Sequence, residues 1–211
     1  FPSDIKPFIV LSEILTIENR FSEAEQVLLL AKNIDPNNSD LIYNFSRLYW
    51  SGKSFELSLK YINKAIDLNN NIDTYKIFKA DILICRDQID QALSILNVLK
   101  SDEKNNKQLQ INILISQIYI RKKMFKNAEE ILIKLVNKYS HLEIGYLNLS
   151  DLYIVTKELD KGTNIIKKGL SLFPNYIPLY KNLAIIYKNN GLLDKAIEIH
   201  LLIIKKNEYD F

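Results

Sequence analysis

Apolar residues return along the chain at helical spacing in short bouts, each followed by a break and a second bout. Ile42, Phe45, Ser46 and Tyr49 stand at i, i+3, i+4 and i+7, one face of a helix. Gly52 and Lys53 interrupt that pattern, and Phe55, Leu59, Ile62 and Ala65 carry a second helical stripe. The unit closes at Asp67-Leu68-Asn69-Asn70, where asparagine tolerates a turn. Two other units close at Asp35-Pro36-Asn37-Asn38 and Phe173-Pro174-Asn175, and proline there cannot continue a helix.

The bouts repeat at a fixed step. Phe21/Ala24, Phe55/Ser58, Ile89/Ala92, Phe125/Ala128, Leu159/Gly162 and Leu193/Ala196 each place a small residue three after a larger apolar one, and the small residues lie 34, 34, 36, 34 and 34 apart. A second small column, Ser12, Ser46, Ala80, Ser116, Ser150 and Ala184, precedes the first by twelve. Three residues further on lies a large column: Leu15, Tyr49, Leu83, Tyr119, Tyr153 and Tyr187. Small residues in phase mark a close helix crossing, where a larger side chain would push the backbones apart. A single hairpin cannot bury its apolar face, so stacking on neighbours must supply the core.

This pattern resembles the tetratricopeptide repeat. Tyr180, Leu183-Ala184, Tyr187, Gly191 and Ala196 match it well, whereas Lys79 and Leu99 depart from it. The resemblance implies an all-α fold: a right-handed superhelix, or α-solenoid, of antiparallel helical hairpins. It predicts one solenoid over 1–211 with repeats near 5–38, 39–72, 73–108, 109–142, 143–176 and 177–210. The segment Ser101–Gln108 accounts for the step of 36 and is expected to be a longer inter-repeat turn. Phe1-Pro2-Ser3 resembles the tail of a preceding repeat, because Pro2 stands 34 before Pro36. Ile197, Leu201 and Ile204 form a stripe that in this frame packs on a following helix. Both ends therefore point to a longer parent chain, or to a homo-oligomer joined through its terminal helices.

Composition narrows the function. The 211 residues are 47% hydrophobic and 25% charged with a net charge of +3, which suits a folded protein with a core. Lysine pairs such as Lys122-Lys123 are dispersed, so no nucleic-acid footprint is expected. No apolar run approaches the roughly 18 residues of a membrane span, so no membrane partner is expected. Cys85, the single cysteine, favours a reducing, cytoplasmic setting and reads as a small half-buried hydrophobe. The five glycines are scattered through turns and crossings, so no phosphate loop forms. His141 and His200 lie in different repeats without a metal-spaced partner. No catalytic residue, metal or cofactor is assigned, and the chain is not expected to be an enzyme.

In the family, first helices line a concave face where ligands lie. Carried over by position, one column of that face reads Ile9, Tyr43, Ile77, Ile113, Leu147 and Lys181, and another Thr16, Trp50, Ile84, Ile120, Ile154 and Lys188. Such apolar columns mark an interaction surface if exposed, with Tyr43 and Trp50 as its aromatic anchors. A third column, Val10, Asn44, Phe78, Leu114, Asn148 and Asn182, resembles in three of six positions the asparagine ladder of the repeat arm of nucleocytoplasmic sugar transferases, whose amides hold a peptide backbone. Arg47 and Arg121 project to the same face, offset by Asp81 and Asp151. A carboxylate clamp of the chaperone type would need Lys and Asn at Ile9, Glu13, Asn44, Thr74 and Phe78, and only Asn44 fits. The sequence thus points to an interaction scaffold whose groove takes an amphipathic helix or extended segment of another polypeptide or of a missing part of the parent chain. The alternative is the substrate-recognition arm of a larger enzyme, such as a transferase, whose catalytic domain lies outside this chain.

Overall fold

The computed structural model of the chain describes residues 4–101 and 107–208. The expectations placed on residues 1–3 and on 102–106 of the longer turn lie outside the described residues.

Twelve helices follow one another with no strand among the described residues: α1 (Lys6–Ile17), α2 (Phe21–Ile34), α3 (Ser39–Ser51), α4 (Phe55–Leu68), α5 (Asp73–Cys85), α6 (Ile89–Lys100), α7 (Gln108–Arg121), α8 (Phe125–Lys138), α9 (Glu143–Val155), α10 (Leu159–Leu172), α11 (Ile177–Asn189) and α12 (Leu193–Glu208). The fold is an all-α helical repeat. The chain divides into two compact units, Phe1–Ile111 and Asn112–Phe211, with α7 running across the division. The division falls just after the one irregular step.

Within the first unit α1 pairs with α2, α3 with α4 and α5 with α6, and each second helix also meets the next first helix. Within the second unit α9 pairs with α10 and α11 with α12, and α8 meets α9 as α10 meets α11. The turn between paired helices is the same each time. In the first, Arg20 N–H donates to the Leu15 carbonyl (2.8 Å) and Asn19 N–H to Thr16 (3.1 Å). The large column Leu15, Tyr49, Leu83, Tyr119, Tyr153 and Tyr187 supplies the accepting carbonyl in all six turns. This Schellman closure needs one residue in the left-handed region. Asn19, Lys53, Asp87, Lys123 and Lys157 adopt it with φ of 58–62°, and only Gly191 does so as glycine. Gly52, beside Lys53, has φ −77° and is not the residue that turns the chain.

The small columns sit where helices cross. All twelve of their members are buried. Ser46 and Ser58 are completely so, and each hydroxyl donates to the other's backbone carbonyl, at 2.7 and 2.8 Å. Side chains that reach the opposite backbone this way leave no room for a larger residue. Around the first crossings Leu15, Ala24, Leu28, Ala31, Leu41, Phe45 and Leu48 form one cluster, and Ile42, Ile62, Ala65, Tyr75 and Ile82 a second. In the second unit Leu132, Tyr146, Leu152, Ile166, Leu179 and Ile186 are buried in the same roles. Asn38 caps α3 by accepting from Leu41 N–H at 3.1 Å, which fixes the entry of that helix after Pro36.

Candidate polypeptide-binding surface

The first-helix face of the first unit is open between α1 and α3. A recess of about 390 Å³ there is lined by Lys6, Ile9, Val10, Glu13, Asp40, Tyr43, Asn44 and Arg47. A smaller one of about 190 Å³ adjoins it at Glu13, Asn44 and Arg47 and extends to Ser12, Thr16 and Ser51. Arg47 bridges the seam: its guanidinium pairs with Glu13 and lies 3.4 Å from Asn44 Oδ1. It also sits 5.8 Å from the centroid of the Tyr43 ring. Val10 is 54% exposed, so an apolar wall borders these charges. Desolvation raises the Tyr43 hydroxyl above its ordinary pKa, with Arg47 working against the shift. The helix-helix spacing that makes Glu13 and Arg47 neighbours is the 34-residue step itself, so opposite charges at one repeat position are the signal that could have found the pair.

The predicted columns fare unevenly. Tyr43, Asn44 and Arg47 line the recess. Tyr43 spends one face on Tyr75, stacked at 4.8 Å, and meets the edge of Phe78 at 5.5 Å. Trp50 is half-buried, lies edge-on to Phe78 at 6.0 Å, and its indole N–H is buried without an acceptor among the described residues. Both rings pack against the second core cluster. Ile77 and Ile84, expected on the open wall, are 0% and 2% exposed and belong to the core. The reason is hydrophobic: where Tyr43, Trp50, Tyr75 and Phe78 crowd one face, that face gains by closing on itself. In the second unit Ile113, Ile120, Leu147 and Ile154 stay half-buried and Arg121 is exposed.

The asparagine positions also differ from expectation. Asn44, Asn148 and Asn182 are buried at 7–8% exposure, and their amides are engaged within the protein. Asn44 Nδ2 donates to the Asp40 carbonyl at 2.9 Å and Asn148 Nδ2 to the Ile144 carbonyl at 2.8 Å. Asn182 Nδ2 lies 2.7 Å from Ser150 Oγ and 2.6 Å from Asp151 Oδ1. These bonds tie first helices to themselves and to each other, and they engage one N–H of Asn44 and of Asn148 and both of Asn182. Cys85 is exposed, not half-buried, because it ends α5 just before the turn. No cluster of metal-ligating side chains occurs among the described residues, and no described helix is long and apolar enough to cross a membrane.

Two family models, both described as tetratricopeptide repeat, match residues 165–198 and 39–72, the latter holding α3 and α4. The chain carries tetratricopeptide repeats. Solved structures share the fold at low identity. PilW, described as a widely conserved type IV pilus biogenesis factor, is 14% identical with a TM-score of 0.77 over 97% of this chain and 94% of that one. PilF of Pseudomonas aeruginosa is 14% identical with a TM-score of 0.70, over 98% and 92%. A tetratricopeptide repeat protein of Parabacteroides merdae is 18% identical with a TM-score of 0.70, over 96% and 79%. No curated protein matches the chain.

Proposed function

We propose that this chain is an interaction scaffold that holds a segment of another polypeptide against its first helices, with the α1–α3 recess as the gripping point. The observation that supports this most is the recess itself: an apolar edge at Ile9 and Val10 beside an accessible Glu13–Arg47 pair. A peptide there buries apolar side chains while its polar groups meet both signs of charge, and exposed pairs of this kind contribute more to selecting a partner than to stability. In the second unit, taken by itself, the first helices carry Ile113, Ile120, Leu147 and Ile154, each half-buried.

Phage display of random dodecapeptides against the immobilised protein tests this reading. Selection is expected to enrich peptides that the Arg47→Glu protein no longer retains, while its helical circular dichroism stays unchanged. A selection that enriches nothing, or peptides held equally by Arg47→Glu, rejects the recess. Self-association is a second reading, supported by the apolar stripe of α12, where Ile197, Leu201 and Ile204 are 55–60% exposed. Sedimentation that depends on concentration, and loses that dependence in Ile197→Asp/Leu201→Asp, is expected; a monomer throughout rejects it.

A further inference from the structure

The second unit carries a recess on its second-helix side, away from the residues assigned above. It measures about 330 Å³ and lies among α8, α9 and α10. The buried Val136 and Leu149 lie at its floor, Ile165 and the exposed Ile133 flank them, and its rim carries Lys161 and Lys168. The repeat supplies an internal comparison. Residues 104 earlier occupy the same positions among α2, α3 and α4, and there three aromatic rings meet. Tyr61 stands where Ile165 does, stacked on Phe45 at 5.1 Å and Tyr49 at 5.2 Å. Phe45 stands where Leu149 does. The hydrogen bond beside the site is the same in both: Tyr49 to Glu25 at 2.5 Å and Tyr153 to Glu129 at 2.9 Å. One scaffold therefore builds this place twice, once plugged by its own rings and once hollow.

The charges around the hollow are unequal. Lys161 is held by Glu158 at 2.6 Å and Glu129 at 3.2 Å, and its ammonium lies 5.4 Å from the Tyr153 ring centroid. Lys168 has no carboxylate partner among the described residues. Glu129 and Glu158 are thus spent on Lys161 and Tyr153, and the positive charge left at the rim is that of Lys168. Asn137 and Asn164 add amides that can both donate and accept.

We propose that this recess is a second docking site, which takes one large apolar side chain of a partner polypeptide with carboxylates next to it. The apolar side chain replaces the ring that Tyr61 supplies in the first unit, and a neighbouring carboxylate meets Lys168. The amides of Asn137 and Asn164 at the rim can both donate to and accept from a peptide backbone, which favours a peptide anchor over an acyl chain.

Fluorescence anisotropy with a fluorescein-labelled peptide, Gly-Ser-Asp-Glu-Leu-Phe-Glu-Asp-Ser-Gly, tests the proposal. The protein is expected to bind it and to bind the version with Lys at every acidic position at least about tenfold more weakly. Ile165→Tyr, which copies the first unit, should weaken binding about tenfold or more, and Lys168→Glu several-fold, with a loss that shrinks as salt rises. The titration should also shift the Ile133 and Ile165 methyl resonances of the unaltered protein, a readout that does not depend on how the variants fold. No binding, equal binding of the two peptides, or unmoved Ile133 and Ile165 methyls would overturn it. Full binding by a folded Ile165→Tyr protein would do the same.

Discussion

Gly162 and Gly169 lie two turns apart on the face of α10 that meets α11, and the same substitution at each should have unequal outcomes. Either glycine sits in a helix interior, where alanine is worth about 0.8–1 kcal/mol more. A Cβ at Gly162 would come within 2.7 Å of Ile186 Cδ1 and 3.4 Å of Tyr153 Cβ. The first atom is the free end of a flexible side chain and the second is at ordinary contact. Alanine already stands at this repeat position as Ala24, Ala92, Ala128 and Ala196. A Cβ at Gly169 would meet Leu179 Cδ1 at 2.6 Å, but also Tyr146 Cβ at 3.1 Å and Cγ at 3.3 Å. The tyrosine atoms are next to the α9 backbone and cannot move aside alone.

Overpacking costs about 1–3 kcal/mol, at the low end when one methyl turns away and at the high end when two elements must separate. Gly162→Ala should therefore stay within about 1 kcal/mol of the parent, and Gly169→Ala should lose about 1–2 kcal/mol. For a chain of this size the gap corresponds to roughly 2–8 °C in melting temperature. Equilibrium urea curves and thermal melts followed at 222 nm measure it. In the first unit the Gly169–Tyr146 pair is replaced by Ala65 and Ile42. Tyr146→Ile should consequently cost about 1 kcal/mol less in the Gly169→Ala background than alone. Variants that move together, or a Gly169→Ala protein as stable as Gly162→Ala, would refute the account of the crossing.

Three further outcomes follow from other parts of the molecule. Lys123→Gly should raise stability by about 0.5–1 kcal/mol, because an L-residue at φ 58° costs more than the extra freedom of glycine in the unfolded chain; a lower urea midpoint would contradict this. Ala128→Leu should destabilise by about 1–3 kcal/mol, since Ala128 is completely buried at a crossing; an unchanged melt would show that the crossing is loose. Burial, reinforced by hydrogen bonds to Asp40 and Glu129, pushes the Tyr75 and Tyr153 hydroxyls up to about 12. Their folded values exceed the unfolded value of about 10, so the stability they contribute is intact below pH 10 and lost as pH rises through about 12. Absorbance at 295 nm should show a late-titrating fraction that shrinks in Tyr153→Phe; titration of all tyrosines near 10 would be incompatible with these bonds.

The sequence alone determined the helices, their pairing and their crossings. A step of 34 with small residues in phase leaves few ways to bury the apolar stripes, and Ser46 against Ser58 is the outcome that spacing demands. The repeat frame also marked Tyr43, Asn44 and Arg47 as neighbours on the first-helix face. What it could not decide was which members of an apolar column stay open. Ile77 and Ile113 share a column in the sequence, yet the first is buried and the second half-buried, because exposure depends on how the rings of Tyr43, Tyr75 and Phe78 pack around the first. Nor could it show the amides of Asn44, Asn148 and Asn182 committed to internal acceptors. The hollow beside Ile165 emerges only when its volume is compared with the ring-filled place around Tyr61. Periodicity fixes direction and register; the space left over is set by the sizes of side chains that meet from three different helices, which only the tertiary structure brings together.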